Sequence, residues 1–172
     1  MTEPRFLSRR SFLAVAAAAA GTLALGLVGC GEEKKDDGAK ADRADAAIDW
    51  QYMTADELTK KLDAGDPVIV LDIRPDDMYN NGHIKGAYHV SVFPVDTEEQ
   101  EKTLKDAAKN LGGDDPIVII CKTGNKGAKR TISVLQDEGI KADRLFILEG
   151  GGDGWNVAEW TTTDNDSTTP GK

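Results

Sequence analysis

Cysteine is scarce in this chain: Cys30 and Cys121 are its two thiols in 172 residues. Two cysteines make neither a disulfide framework nor a four-cysteine zinc site. Aromatic residues are also few, at 6%. Positive charge is in short supply, with 21 Lys and Arg against 30 Asp and Glu and a formal net charge of −9. A nucleic-acid binder needs a basic face, so the composition excludes that class. The apolar residues are clustered, which excludes a chain disordered throughout. At this length one domain is expected, with further segments at its ends.

Residues 1–29 read as a signal peptide. Arg5, Arg9 and Arg10 give a positive start, and Phe12 to Val28 is apolar apart from glycine and Thr22. That stretch is shorter than the about 20 residues of a spanning helix. Ser8-Arg9-Arg10-Ser11-Phe12-Leu13 resembles the twin-arginine export signal, a receptor-read address. Many such signals continue with Lys where this chain has Ala14, so Sec export stays open. Leu27-Val28-Gly29-Cys30 resembles a bacterial lipobox. That resemblance implies cleavage before Cys30, lipidation of its sulfur, and anchoring to the outer face of a bacterial membrane. Two acyl chains give stable anchoring. The plain alternative is an ordinary signal peptide or N-terminal anchor. With Cys30 lipidated, Cys121 would be the one free thiol and no intrachain disulfide could form.

Residues 30–47 are Glu, Lys, Asp and Ala without large apolar side chains, the composition of a flexible tether. Residues 161–172 are Thr, Asp, Asn, Ser, Pro and Gly and read as a disordered tail. The domain is expected between them, over 48–160. Val68 to Leu71, Ile117 to Ile120 and Leu145 to Leu148 are short continuous apolar runs. Such runs suit strands buried on both faces of a parallel sheet. Shorter strands are expected near Ile48 to Met53 and Ala87 to Val90. Thr54 and Glu57 have capping-box spacing, with Leu58 and Leu62 on one helical stripe and Gly65 as a stop. Leu104, Ala107, Ala108 and Leu111 make a second stripe before Gly112, and Ala128, Ile132 and Leu135 a third before Gly139. Strands alternating with helices predict an α/β fold with a mostly parallel sheet.

The chemistry concentrates after Ile117 to Ile120. There the chain reads Cys121-Lys122-Thr123-Gly124-Asn125-Lys126-Gly127, a short polar loop opening into the third helix. Ligands sit at the carboxyl ends of parallel strands. A loop that turns into a helix N-terminus gathers N–H groups and the positive end of the helix dipole. The first anion such a cradle stabilises is the Cys121 thiolate itself, with Lys122 and Lys126 adding charge. A thiolate is a nucleophile, so this pattern points to cysteine catalysis. A small buried structural cysteine is the alternative.

With these motifs in place, the domain resembles a single rhodanese domain over 48–160. Leu71-Asp72-Ile73-Arg74 followed by Tyr79-Asn80-Asn81-Gly82-His83-Ile84-Lys85-Gly86-Ala87 resembles the family's N-terminal signature. Leu148-Glu149-Gly150-Gly151 with Trp155 resembles its C-terminal signature, and Cys121 occupies the catalytic position. The resemblance implies an α/β rhodanese-like fold: a five-stranded parallel sheet with helices on both faces. It implies a sulfurtransferase or persulfide carrier. Cys121 would take sulfane sulfur from thiosulfate or a polysulfide and pass it to a thiol, a cyanide-like acceptor or a protein. Lys122, Thr123, Gly124, Asn125, Lys126 and Gly127 would hold the anion, with Asp72 and Arg74 in support. No metal and no organic cofactor is implied. The competing reading is a non-catalytic anion- or protein-binding module.

Cys121 to Lys126 spans six residues, the loop length of sulfur-transfer members, whereas related phosphatases carry a longer loop closed by Arg. A tetrahedral phosphate calls for the bidentate arginine fork. Many active rhodaneses have Arg at the positions of Lys122 and Lys126, and Ser or Thr at that of Gly127. Lysine keeps the charge without the fork. A polysulfide or protein persulfide would depend less on that clamp than thiosulfate does. His83 and His89 fall short of a metal set with Cys121, and His83 lies within a structural motif.

Overall fold

The computed structural model describes residues 48–171. The signal-peptide, lipidation and tether expectations, Cys30 included, lie outside the described residues. Five strands form one parallel sheet: β1 (Gln51–Met53), β2 (Ile69–Asp72), β4 (Tyr88–His89), β5 (Ile117–Ile120) and β6 (Leu145–Leu148). Their order is β1-β6-β5-β2-β4. The three central strands are the three apolar runs of the sequence. In register, Leu71 lies beside Ile119, and Ile119 beside Ile147. A separate two-stranded antiparallel ribbon pairs β3 (His83–Ile84) with β7 (Thr161–Thr162).

Alternation along the strands sends successive side chains to opposite faces. Ile117, Ile119, Leu71 and Ile147 join one core with Leu104, Leu111, Ile132 and Leu135. These last come from α3 (Glu98–Ala108), the segment after it, and α4 (Lys126–Asp137). Val118, Ile120, Val70 and Leu148 join the other core with Leu58 and Tyr79. Those two side chains come from α1 (Ala55–Ala64) and α2 (Asp76–Asn80). Cys121 continues the alternation onto the α3 and α4 side. The fold is therefore the expected five-stranded parallel sheet with helices on both faces.

The helix ends follow local chemistry. Thr54 Oγ1 accepts from the Glu57 N–H at 3.2 Å, and the Glu57 carboxylate accepts from the Thr54 N–H at 2.9 Å. Gly65 ends α1 in the left-handed region, at φ 68°. Helix α3 carries the same reciprocal cap between Thr97 and Gln100. It stops at Ala108 rather than running to Gly112.

Residues 161–171 correct the expectation of a disordered tail. Beyond β7, Asp166 lies 2.7 Å from His83 Nε2 and accepts from the Gly86 N–H at 2.9 Å. Ser167 Oγ accepts from the His89 N–H at 3.0 Å. Thr168 donates its hydroxyl to the Gly86 carbonyl at 2.6 Å and its N–H to the Ala87 carbonyl at 3.3 Å. The physical reason is edge satisfaction. The segment has little to bury, but its carboxylates and hydroxyls occupy backbone groups beside the edge strand β4.

Candidate functional site

Strand β5 is buried along its whole length and delivers Cys121 to the carboxyl edge of the sheet. Cys121 is 1% exposed, whereas Lys122, Thr123, Asn125 and Lys126 are exposed around it. Gly124 and Gly127 are buried beneath them. The sequence-predicted loop is thus brought together as one unit, with the thiol recessed and the charges outward.

What holds the loop is α5 (Gly151–Gly154), which follows β6. The Gly152 N–H donates to the Cys121 carbonyl at 2.8 Å, and the Asp153 N–H to the Lys122 carbonyl at 2.9 Å. The two backbones are in direct contact. A Cβ on Gly151 would overlap the Gly124 nitrogen and the Cys121 and Lys122 carbonyls, and one on Gly124 would lie 2.5 Å from the Leu148 carbonyl. Both glycines also sit at positive φ, 59° and 66°, where a Cβ is strained. The glycine run after Leu148 is therefore the seat of the loop.

Asp72 and Arg74 lie one layer further down. Asp72 is fully buried and pairs with the Arg74 guanidinium, with Nη2 to Oδ2 at 2.6 Å and Nε to Oδ1 at 2.9 Å. Arg74 Nη2 also donates to the Gly82 carbonyl at 3.0 Å. The guanidinium lies against Gly152, where a Cβ would come within 2.6 Å of Nη1. The pair supports the residue that grips the Cys121 carbonyl. Each charge is neutralised by its fork geometry.

The histidines are used elsewhere. Tyr79 is sandwiched between His83, at 3.6 Å, and His89, at 3.9 Å between ring centroids. The His83 Nδ1–H donates to the Tyr79 carbonyl, and the His89 Nε2–H to that of Arg74. Burial pushes the Tyr79 hydroxyl up to about 12. This stack ties the N-terminal signature to the strap that ends the described chain.

Helix α4 begins differently from α1 and α3. Asn125, its N-cap, makes no side-chain capping bond, and its first turn holds no acidic residue. Among the described residues, the N–H groups of Thr123 and Gly124 donate to no carbonyl. The first turn of α4 adjoins Cys121 at Gly127, so the positive end of an uncapped helix opens beside the thiol, a feature suited to an anion.

Phe93 is a site residue that sequence reasoning missed. Its ring lies against Gly127, where a Cβ would meet ring carbons at 2.7 and 2.8 Å and the Cys121 Cβ at 3.4 Å. Phe93 lies 28 residues before the thiol, as their numbers show, in a segment without helical or strand periodicity. The one signal was an apolar cluster, Val90, Val92, Phe93 and Val95, around Pro94.

Comparison with known proteins agrees with this geometry. Residues 54–158 match the model of the rhodanese-like domain, over half of the chain. The chain belongs to the rhodanese-like domain family. A thiosulfate sulfurtransferase GlpE from Shewanella oneidensis is 25% identical over 109 residues, covering 63% of this chain and 95% of that protein. An adenylyltransferase and sulfurtransferase MOCS3-1 from Zea mays is 26% identical over 103 residues, 60% of this chain. The match spans about a fifth of the maize protein, 21% of its length. Among solved structures, a rhodanese-like domain from Anabaena superposes with a TM-score of 0.51 at 23% identity, covering 73% of this chain and 87% of that one. A yeast protein tyrosine phosphatase of the rhodanese family also gives 0.51, at 22% identity, over 67% of this chain and 94% of that one. At these identities the structural likenesses speak to fold alone.

Proposed function

We propose that this chain is a sulfurtransferase or persulfide carrier acting through Cys121. The observation that supports it most is the recessed Cys121 at the end of β5, beside an uncapped helix N-terminus, in a rhodanese-like domain. The Cys121 thiolate attacks the outer sulfur of a sulfane donor. A new S–S bond forms, the donor's S–S bond breaks, and the leaving group departs with the electron pair as sulfite or a shortened polysulfide. Cys121 then carries a persulfide anion, held by the loop N–H groups with Lys122 and Lys126 nearby. A thiolate or cyanide attacks the outer sulfur and restores the Cys121 thiolate. No net redox partner is required.

This double displacement predicts parallel lines when donor and acceptor are varied together. Turnover of thiosulfate or polysulfide with cyanide is the test, and Cys121→Ser should abolish it. Turnover that survives in Cys121→Ser would rule the mechanism out. The competing reading is a non-catalytic anion- or protein-binding module. That module would bind its partner equally well with Ser at position 121.

We further propose that the protein works outside the cytoplasm, held to the membrane by lipid on Cys30. Membrane fractionation of the full chain and of Cys30→Ala tests this. The anchored form should sediment with membranes and the variant should not. Equal sedimentation of the two would overturn it.

A further inference from the structure

We infer that Phe93, seated on Gly127, is the residue that selects the sulfur donor, favouring a linear sulfane chain over a sulfonate-capped one. The inference rests on the sulfurtransferase reading and names its substrate class.

The placement of Phe93 is built rather than incidental. Its N–H donates to the Ile73 carbonyl at 2.9 Å, just beyond β2. Its carbonyl accepts from Gln100 Nε2 at 3.2 Å, in the first turn of α3. The Val95 N–H closes the turn onto the Val92 carbonyl at 2.8 Å. The Phe93 backbone is therefore held from the sheet on one side and from α3 on the other. The ring occupies the volume that any side chain at position 127 would need, and that volume adjoins the Cys121 Cβ. Glycine at 127 and phenylalanine at 93 are complementary: a larger residue at 127 would expel the ring.

The chemistry of the wall follows. Thiosulfate brings a tetrahedral sulfonate whose charged oxygens need hydrogen-bond donors on every side. A phenyl ring offers none, and pressing a charged oxygen against it carries a desolvation cost. A polysulfide or persulfide presents divalent, polarizable sulfur, which makes favourable contacts with aromatic rings. The ring packs on Gly127, whose position adjoins the Cys121 Cβ, so a donor that reaches the thiol from that side meets an apolar wall. The transfer itself is unchanged: the Cys121–S bond to the outer sulfur forms as the donor's S–S bond breaks, and the shortened chain leaves with the electron pair.

The test compares wild type, Phe93→Leu, Phe93→Ala and Phe93→Ala/Gly127→Ser in the full chain. Two quantities are read: kcat/KM with thiosulfate and with polysulfide, and the iodoacetamide alkylation rate at the Cys121 peptide. Wild type should prefer polysulfide. Phe93→Ala should raise the thiosulfate-to-polysulfide ratio by about tenfold or more, a usual scale for one pocket contact, and should speed alkylation. Phe93→Leu keeps apolar bulk, tolerates folding best, and should fall between the two. The double variant should gain most with thiosulfate, because a hydroxyl replaces the ring. An unchanged ratio in folded Phe93→Leu and Phe93→Ala overturns donor selection. If wild type turns over neither donor, the sulfurtransferase reading fails and donor selection with it. In that case faster alkylation in Phe93→Ala would still identify the ring as the cover of Cys121.

Discussion

Helices α1 and α3 on one hand and α4 on the other begin in opposite ways. Helices α1 and α3 close their own N-termini: Thr54 with Glu57 and Thr97 with Gln100 form reciprocal caps, and both first turns carry acid. Helix α4 starts at Asn125 with no side-chain cap and no acid in its first turn. A closed terminus is a finished structural part. An open one beside Cys121 leaves its donors and its partial positive charge available to an anion. Of these three helices, the one that starts at the Cys121 loop is the one left open.

The comparison can be broken most severely from beneath. Gly151→Ala places a Cβ among the Cys121 and Lys122 carbonyls, displacing the loop. Sulfur transfer should fall by about 100-fold, the scale of a small misplacement of reacting groups. Steady-state turnover with a circular-dichroism check of folding measures it. The next variant makes α4 resemble α1. Asn125→Asp adds a carboxylate at the open cap, with a gain in helix stability of up to ~1 kcal/mol and a loss of transfer of about tenfold. Opposite signs for stability and activity are the expected signature, read from urea unfolding and kinetics together.

The converse variant leaves the site alone. Thr54→Ala removes the α1 cap and should cost ~1 kcal/mol of stability while sulfur transfer is unchanged. The smallest effect belongs to the strap. Burial raises the Asp166 carboxyl, but hydrogen bonds from His83 and the Gly86 N–H outweigh it and hold the group below its ordinary 3.8. A lowered folded value contributes stability above the ordinary carboxylate range. That contribution is lost as pH falls through the folded value, below 3.8. Asp166→Asn should therefore lower the melting temperature slightly at neutral pH and leave it little changed in strong acid.

Much of this was legible in the sequence. The buried strands β2, β5 and β6 stand out because residues such as Ile117 to Ile120 are apolar without alternation, which a two-faced parallel sheet requires. The Thr54 cap and the Cys121 to Gly127 loop are local, so spacing reveals them. The Thr97 and Gln100 cap is equally local, with the same three-residue spacing as Thr54 and Glu57. Phe93 and Asp166 were not legible for a different reason. Each acts on a partner far along the chain, Gly127 and His83, through a turn or a strap that no periodicity announces. The tail misled because low hydrophobicity signals disorder only where nothing nearby needs hydrogen bonds. Beside the edge at Gly86 to His89, the polar residues found those partners.

Intact-mass spectrometry of the full chain after brief exposure to polysulfide, and separately to thiosulfate, tests the role of Cys121 most directly. A sulfur carrier gains ~32 Da, one sulfur atom, with the adduct removed by cyanide and absent from Cys121→Ser. No adduct with either donor, while Cys121 remains open to alkylation, would contradict that role and leave a binding module in its place.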